Sequence, residues 1–302
     1  MLLKRIFSAV MLLGSAALLL FVFPAVVGVI VLMGMAVVGL LEFYTILNKA
    51  DIPAFRLLGI GSGLVLLAGL FLGLNASTLL PASLGRVAAE APLLLFAVIV
   101  FAVCIRQFPQ IKNPQPLPTI ACTMMGLLYV PFLLSFVMFL AFRWEPVTWG
   151  QPFGPTARAL ILYLVVVVKS SDIGAFAVGR TFGRHKLFPR VSPGKTWEGL
   201  AGGLVAGVLM SGLIFWWLSH GQPHAQFGRL LVTRTDAWVL GAVLSAIGVI
   251  GDLIESLLKR SAGLKDSGCT IPGMGGMLDV LDSLLFASPA LYFYLLWLAK
   301  VQ

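Results

Sequence analysis

The run LLGIGSGLVLLAGLFLGL at residues 57–74 decides the architecture of this chain. Eighteen residues pass without a charged side chain, and the apolar positions do not follow the two-residue alternation of a half-buried strand. About 20 such residues cross the hydrocarbon core of a bilayer as a helix. Only helices and closed barrels satisfy their backbone polar groups there, and a barrel would be written in alternating segments of about ten residues. The run is therefore read as a spanning helix. Composition extends that reading to the whole chain. Of 302 residues, 59% are hydrophobic and 11% charged, against about 25% charged in soluble domains. With a mean hydropathy of +1.00 there is too little polar surface to cover a water-exposed globule of this size. Disorder is excluded by the same figures.

Applied along the sequence, the length criterion predicts about nine spans, at 6–23, 25–41, 57–74, 91–105, 119–142, 158–178, 199–218, 237–254 and 284–299. The first follows Lys4-Arg5 as a signal peptide would. No small-residue cleavage site comes after it, however, and Pro24 leads into another apolar stretch. The expected fold is all-α and polytopic, with a cytoplasm-facing polar site. Residues 1–150 supply about five N-terminal helices, and 151–302 a C-terminal region of about four helices with basic loops. The Pro-rich stretch 109–118 reads as a stiff connection. Three cysteines, Cys104, Cys122 and Cys269, show no metal spacing and are given no role.

Charge placement sets the orientation. With the N-terminus in the cytoplasm, fifteen of the 21 Lys and Arg fall in cytoplasmic loops. Only Arg86, Arg143, Arg158, Arg229, Arg234 and Lys300 fall outside. The bias follows the positive-inside rule, and one helix more or fewer before residue 170 would invert it.

Polar residues gather in 169–198 and 252–283, which this topology puts on one membrane face. Ionisable groups at membrane depth are costly and mark function by default. On a helix, Asp252, Glu255, Ser256, Lys259 and Arg260 form one stripe at i, i+3, i+4, i+7 and i+8, with Leu253, Ile254, Leu257 and Leu258 opposite. Asp279, Asp282 and Ser283 repeat the spacing after a Gly-rich turn containing Gly273, Gly275 and Gly276, where free backbone N–H groups favour an anion. Two acidic faces brought together repel unless a cation lies between them, and oxygen ligands favour Mg²⁺. The alternatives are a solvated helix end with Glu255–Lys259 pairing, and acids that merely complement a helix dipole. The other segment offers Lys169, Asp172 and a basic run of Arg180, Arg184, His185, Lys186 and Arg190. Plain positive-inside charge explains that run equally well. Gly194-Lys195-Thr196 is not a Walker A loop: Pro189 stands where the first glycine is required, and no strand is expected before it. Lys195 remains a candidate phosphate contact.

Several ordered motifs over roughly 165–290 resemble the phosphatidate cytidylyltransferase (CDP-diacylglycerol synthase) family. They are Asp172 to Phe176, Ser192 to Gly199, Gly251 to Ser256, Lys259-Arg260, Lys265-Asp266, Pro272-Gly273-Met274-Gly275-Gly276 and Asp279-Val280-Leu281-Asp282-Ser283. Two positions depart from the family pattern: Met274 stands for a His and Val280 for an Arg. The resemblance implies transfer of CMP from CTP to phosphatidate in phospholipid biosynthesis, with Mg²⁺ and a monovalent cation such as K⁺. The catalytic candidates are Asp252, Asp279, Asp282, Lys259 and Ser256, with Asp252 and Asp279 as metal ligands. Lys195, Arg260, Lys265, Gly275, Gly276, Ser283 and Asp172 are expected to bind substrate. The protein is expected in the cell membrane, without a nucleic-acid partner and with a homodimer left open. A CTP-dependent polyprenol or lipid kinase, a transporter, and an inactive or altered family member are the alternatives.

Overall fold

The computed structural model describes residues 2–79, 81–111, 113–145, 150–264, 268 and 275–301. Among them stand nine principal helices. The first five are α1 Leu2–Val22, α2 Ala25–Lys49, α3 Arg56–Leu74, α4 Ala82–Ile105 and α5 Pro116–Phe142. The remaining four are α6 Pro155–Phe182, α7 Trp197–Ser219, α8 Arg234–Ser261 and α9 Met277–Val301. Each falls on one predicted span. Seven of them (α2, α3 and α5 to α9) are long and apolar enough to cross a membrane, while α1 and α4 carry the shorter apolar stretches Met11–Val22 and Glu90–Ile105. The chain is a multi-pass helical membrane protein.

Four helices outrun their predicted ends by seven residues or more: α4 begins at Ala82 rather than 91, and α2, α8 and α9 extend for one shared reason. α2 continues past residue 41 through Glu42, α8 past 254 through Glu255 and Lys259, and α9 begins before 284 so as to include Asp279 and Asp282. A hydropathy reading stops at such charges because it assumes lipid around them. Here Glu42, Glu255, Lys259 and Asp282 are buried in protein, where a helix is free to continue.

Successive connections gather at opposite ends of the bundle. At one end Ala25 N–H donates to Gln151 O (2.9 Å) beside a bridge between Pro24 and Pro152. There the Glu145 carboxylate accepts from Thr156 N–H and hydroxyl and pairs with Arg229 (3.6 Å). At the other end Arg260 Nε donates to Val191 O and Lys195 pairs with Asp252. The α6–α7 and α8–α9 connections thus share a face, as the predicted parity requires.

Two short antiparallel hairpins were not expected from the sequence: β1 Lys186–Phe188 with β2 Ser192–Thr196, and β3 His224–Phe227 with β4 Leu230–Thr233. A strand does therefore precede Gly194. It leads through a hairpin rather than a glycine-rich phosphate loop, so rejection of the Walker A reading stands on geometry. Thr196 ends β2 and caps α7, its hydroxyl accepting from Gly199 N–H (3.1 Å). The Pro-rich connection is shorter than read, since Pro116 opens α5 with its missing N–H at a position where none is needed. Within α5 the turn Leu128–Phe132 widens to a π-helix around Pro131.

α9 is common to both halves. Leu278, Leu281 and Leu285 join Leu40, Phe43, Leu67 and Val130 in one apolar core. Leu284, Leu291 and Leu295 join Leu160, Leu164 and Leu240 in another. Small residues bring the helices of the polar face close together. A Cβ on Gly174 would meet Ala206 Cβ at 2.4 Å, and one on Gly251 would meet Asp282 O at 2.4 Å.

Candidate functional site

A cavity of about 770 Å³ opens at the polar end of α6, α8 and α9, beside the β1–β2 hairpin. Lys169 and Asp172 of α6, Lys195 of β2, Asp252, Glu255 and Lys259 of α8, and Asp279 and Asp282 of α9 all line it. The helical stripe predicted over 252–260 exists, and the cavity lies where it meets the first two turns of α9.

Three carboxylates from the two helices converge. Asp252, Glu255 and Asp282 each present an oxygen within 4.8 Å of the others. Asp282 is buried and Glu255 almost completely so, at 1% exposure, while Asp252 is partly open to the cavity. Among the described residues neither Glu255 oxygen accepts an aligned hydrogen bond, although Lys259 Nζ stands 2.5 Å from Oε2. Three acids in so small a volume repel one another, and a hard divalent cation among them removes the conflict. The donor set, all carboxylate oxygen, fits Mg²⁺.

Around the acids stand three lysines. Lys195 Nζ reaches Asp252 Oδ2 (3.0 Å) and Val249 O (3.0 Å), so β2 is pinned to α8. Lys259 bridges Glu255 to Asp279 Oδ1 (2.6 Å). Lys169 donates to Asp172 Oδ2 (3.1 Å), Ser283 Oγ (3.2 Å) and Val280 O (3.4 Å). Ser283 in turn contacts Asp172 (3.4 Å), and Ser256 contacts Asp252 (3.4 Å). These cations face a cavity whose floor is acidic, an arrangement suited to a polyphosphate carried with a metal ion.

The structure redistributes several sequence assignments. Asp279 does line the cavity with Asp252, but both its oxygens serve the protein: Oδ1 holds Lys259 and Oδ2 accepts from Gly276 N–H (2.8 Å). Among the described residues the close carboxylate trio contains Glu255 and Asp282 in place of Asp279. The anion expected at the N-terminus of α9 is also the protein's own. Gly276 N–H serves Asp279, while Met277 and Leu278 N–H serve Glu42 (2.8 and 2.9 Å). Gly275 takes φ +100°, and a Cβ there would meet Asp279 Oδ2 at 2.7 Å, so the turn needs glycine. Arg260 does not line the cavity; its guanidinium clasps Val191 O (3.3 Å) and Leu264 O (3.0 Å). Lys265 and Met274 lie outside the described residues. Val280, where the motif pattern has an Arg, is an apolar wall residue whose carbonyl receives the Lys169 ammonium.

Lys169, Glu255 and Glu42 were not singled out as site residues by sequence. Glu255 stood on the acidic stripe but read as the partner of Lys259. Lys169 and Glu42 each interrupt an apolar helix, and that cost was itself a signal.

Fold and site together define a class: a polytopic membrane protein with a carboxylate-and-lysine centre at one membrane face. The chain belongs to the cytidylyltransferase family, whose model matches residues 3–298. It is 43% identical over 136 residues to a phosphatidate cytidylyltransferase of Haemophilus influenzae, covering 45% of each chain. To a Bacillus subtilis phosphatidate cytidylyltransferase it is 44% identical over 135 residues, 45% of this chain and 46% of the relative. To one from Pseudomonas aeruginosa it is 41% identical over 146 residues, 48% and 50% respectively. The chain thus spans about half the length of the curated relatives it matches.

Proposed function

We propose that the protein is a CTP:phosphatidate cytidylyltransferase that makes CDP-diacylglycerol and pyrophosphate. The observation that carries this reading is the convergence of Asp252, Glu255 and Asp282 at a cavity ringed by Lys169, Lys195 and Lys259. Family membership and the named relatives support the choice of substrates.

In this reading an oxygen of the phosphatidate phosphate attacks the α-phosphorus of CTP. A new P–O bond forms to the lipid phosphate, the bridging P–O bond between the α and β positions breaks, and pyrophosphate leaves with the electron pair. A phosphate monoester is largely ionised at neutral pH, so no strong base is required. The protein's task is to align the two phosphates and offset their repulsion. Lys195, fixed by Val249 O and Asp252, meets the nucleotide from β2, and Lys169 meets phosphate from α6. Lys259 is aimed by Asp279 and Glu255. Asp252, Glu255 and Asp282 would hold Mg²⁺, which when bound supplies positive charge to the phosphoryl oxygens and leaving group. Asp172 lines the same cavity, while Ser283 and Ser256 touch Asp172 and Asp252 and help to orient them; a monovalent cation, if bound, would add positive charge near the acids. Gly275 and Gly276 act through Asp279 and Arg260 through the hairpin, and Lys265 is carried as a further candidate phosphate contact.

The Lys/Arg asymmetry of the loops supports placement in the cytoplasmic membrane with the site toward the cytoplasm. Assembly as a homodimer is part of the proposal, and a monomeric mass by light scattering in detergent would contradict it. The test of the activity uses purified protein, CTP labelled at the α-phosphate, phosphatidate and Mg²⁺. Label in the lipid product together with released pyrophosphate is expected. Label from the γ-phosphate in lipid would instead show a kinase, and no transfer would overturn the reading.

A further inference from the structure

Glu42 belongs to none of the motifs above. It sits in the last two turns of α2, in the N-terminal half of the chain, and is 6% exposed. Its carboxylate reaches across 235 positions of sequence to the start of α9. There Oε1 accepts Met277 N–H at 2.8 Å and Oε2 accepts Leu278 N–H at 2.9 Å. These are the first two amides of the helix, which have no partner within it. A buried carboxylate is costly unless it is well hydrogen-bonded, and a helix N-terminus offers both donors and positive potential. Glu42 and α9 therefore satisfy each other, each supplying what the other lacks.

The location of this contact gives it a consequence for the site. Asp279 is the third residue of α9 and Asp282 the sixth, so both acids are carried on the turns that Glu42 holds. Asp279 closes the same terminus from the other side by accepting Gly276 N–H (2.8 Å) while it grips Lys259. Gly268, before the turn, comes so near that a Cβ there would stand 2.8 Å from Glu42 Oε1. Behind Glu42, Leu40 and Phe43 share one apolar core with Leu278 and Leu281. One side chain thus links α2, Gly268 and the acid-bearing end of α9. The trio of Asp252, Glu255 and Asp282 closes only while α9 keeps its depth relative to α8, where Gly251 and Asp282 O are in contact.

We propose that Glu42 is a positioning residue for the reaction: as the remote cap of α9 it sets where Asp282 and the Asp279–Lys259 pair stand in the cavity. The inference rests on the cytidylyltransferase reading for its consequence and on the contact itself for its geometry. Outer-shell groups that orient reactive side chains are typically worth about 10- to 100-fold.

The experiment compares wild type, Glu42→Gln and Glu42→Ala in detergent, by turnover and by hydrogen exchange of peptides covering 275–286. Glu42→Ala is expected to lower kcat by about 10- to 100-fold with KM for CTP changed by less than about 3-fold. Exchange should quicken at the start of α9 and stay at wild-type level in α3 and α7. Glu42→Gln keeps one acceptor oxygen and should recover part of the loss in both readouts. Wild-type kcat in Glu42→Ala overturns the proposal. So does a loss matched by faster exchange throughout the chain, which would mark a general folding role. If wild type itself transfers no CMP, the functional reading fails instead. The positioning claim is then decided by exchange alone, and unchanged protection of 277–282 in Glu42→Ala defeats it.

Discussion

At the scale of the residue, the centre is a balance of buried charge, and each member is legible through its partners. Lys259 lies between Glu255 and Asp279 at 2.5 and 2.6 Å. Replacing it by Met leaves two acids without their cation, and breaking such a buried pair costs about 3–5 kcal/mol. Thermal unfolding of Lys259→Met in detergent should show that loss. The double variant Lys259→Met/Glu255→Gln should regain much of the stability and none of the activity. Asp282→Asn removes a charge from the trio while preserving shape, and turnover should fall by at least about 100-fold with the fold intact. Lys169 supports a further prediction. Its ammonium lies at the carbonyl of Val280, which itself lines the cavity. Lys169→Met should lower turnover, and adding Val280→Arg should restore part of it by returning a cation to the same wall. Failure of the second change to help would show that Lys169 acts through Asp172 and Ser283 instead.

At the scale of the element, the active geometry depends on how closely α8 and α9 approach. Gly251 has no room for a side chain: its Cβ would stand 2.4 Å from Asp282 O and 3.1 Å from Phe286 Cδ2. Gly251→Ala must push the helices apart at the acid trio, and such overpacking costs about 1–3 kcal/mol. Activity should fall further than stability, because the displacement falls on the carboxylates. Gly61→Ala in α3, with open space around it, is the control and should leave both unchanged. The helices also show how far sequence reading reaches. Hydropathy located all nine principal helices among the described residues, because lipid-facing surface is a local property of each run. It lost the ends of α2, α8 and α9, where the charges face protein, and the start of α4 at Ala82. The i, i+3, i+4 spacing found Asp252 and Asp282 because each set lies on one helix. It could not choose between Asp279 and Glu255 as the third acid, since that depends on the approach of two helices. The β1–β2 hairpin escaped notice because SPGKT carries no alternating pattern.

At the scale of the whole molecule, a polytopic membrane protein with such a site must present its polar centre to one side while its helices alternate through the bilayer. The connecting residues 23–24, 143–145, 150–154 and 220–233 lie at the end away from the cavity, and the β1–β2 hairpin lies beside it. Single cysteines placed at Arg184 and at Gln222, in a chain whose native cysteines are replaced, should therefore label from opposite sides. The first should react only in inside-out vesicles and the second only in right-side-out ones. Labelling of both from the same side would contradict a crossing by α7, and with it the placement of its two flanking connections on opposite faces. Glu42 belongs to this scale as well. Its partners lie 235 residues away, so no local pattern could reveal them, although a lone acid in a 25-residue apolar helix was a visible anomaly.

Electron paramagnetic resonance of Mn²⁺, standing in for Mg²⁺ in detergent-solubilised protein with CTP, reaches the centre most directly. The account predicts a bound ion with hyperfine coupling to nucleotide phosphorus, lost or strongly weakened in Asp282→Asn and in Asp252→Asn. An ion bound equally well by both variants, or bound without phosphorus coupling, would contradict it.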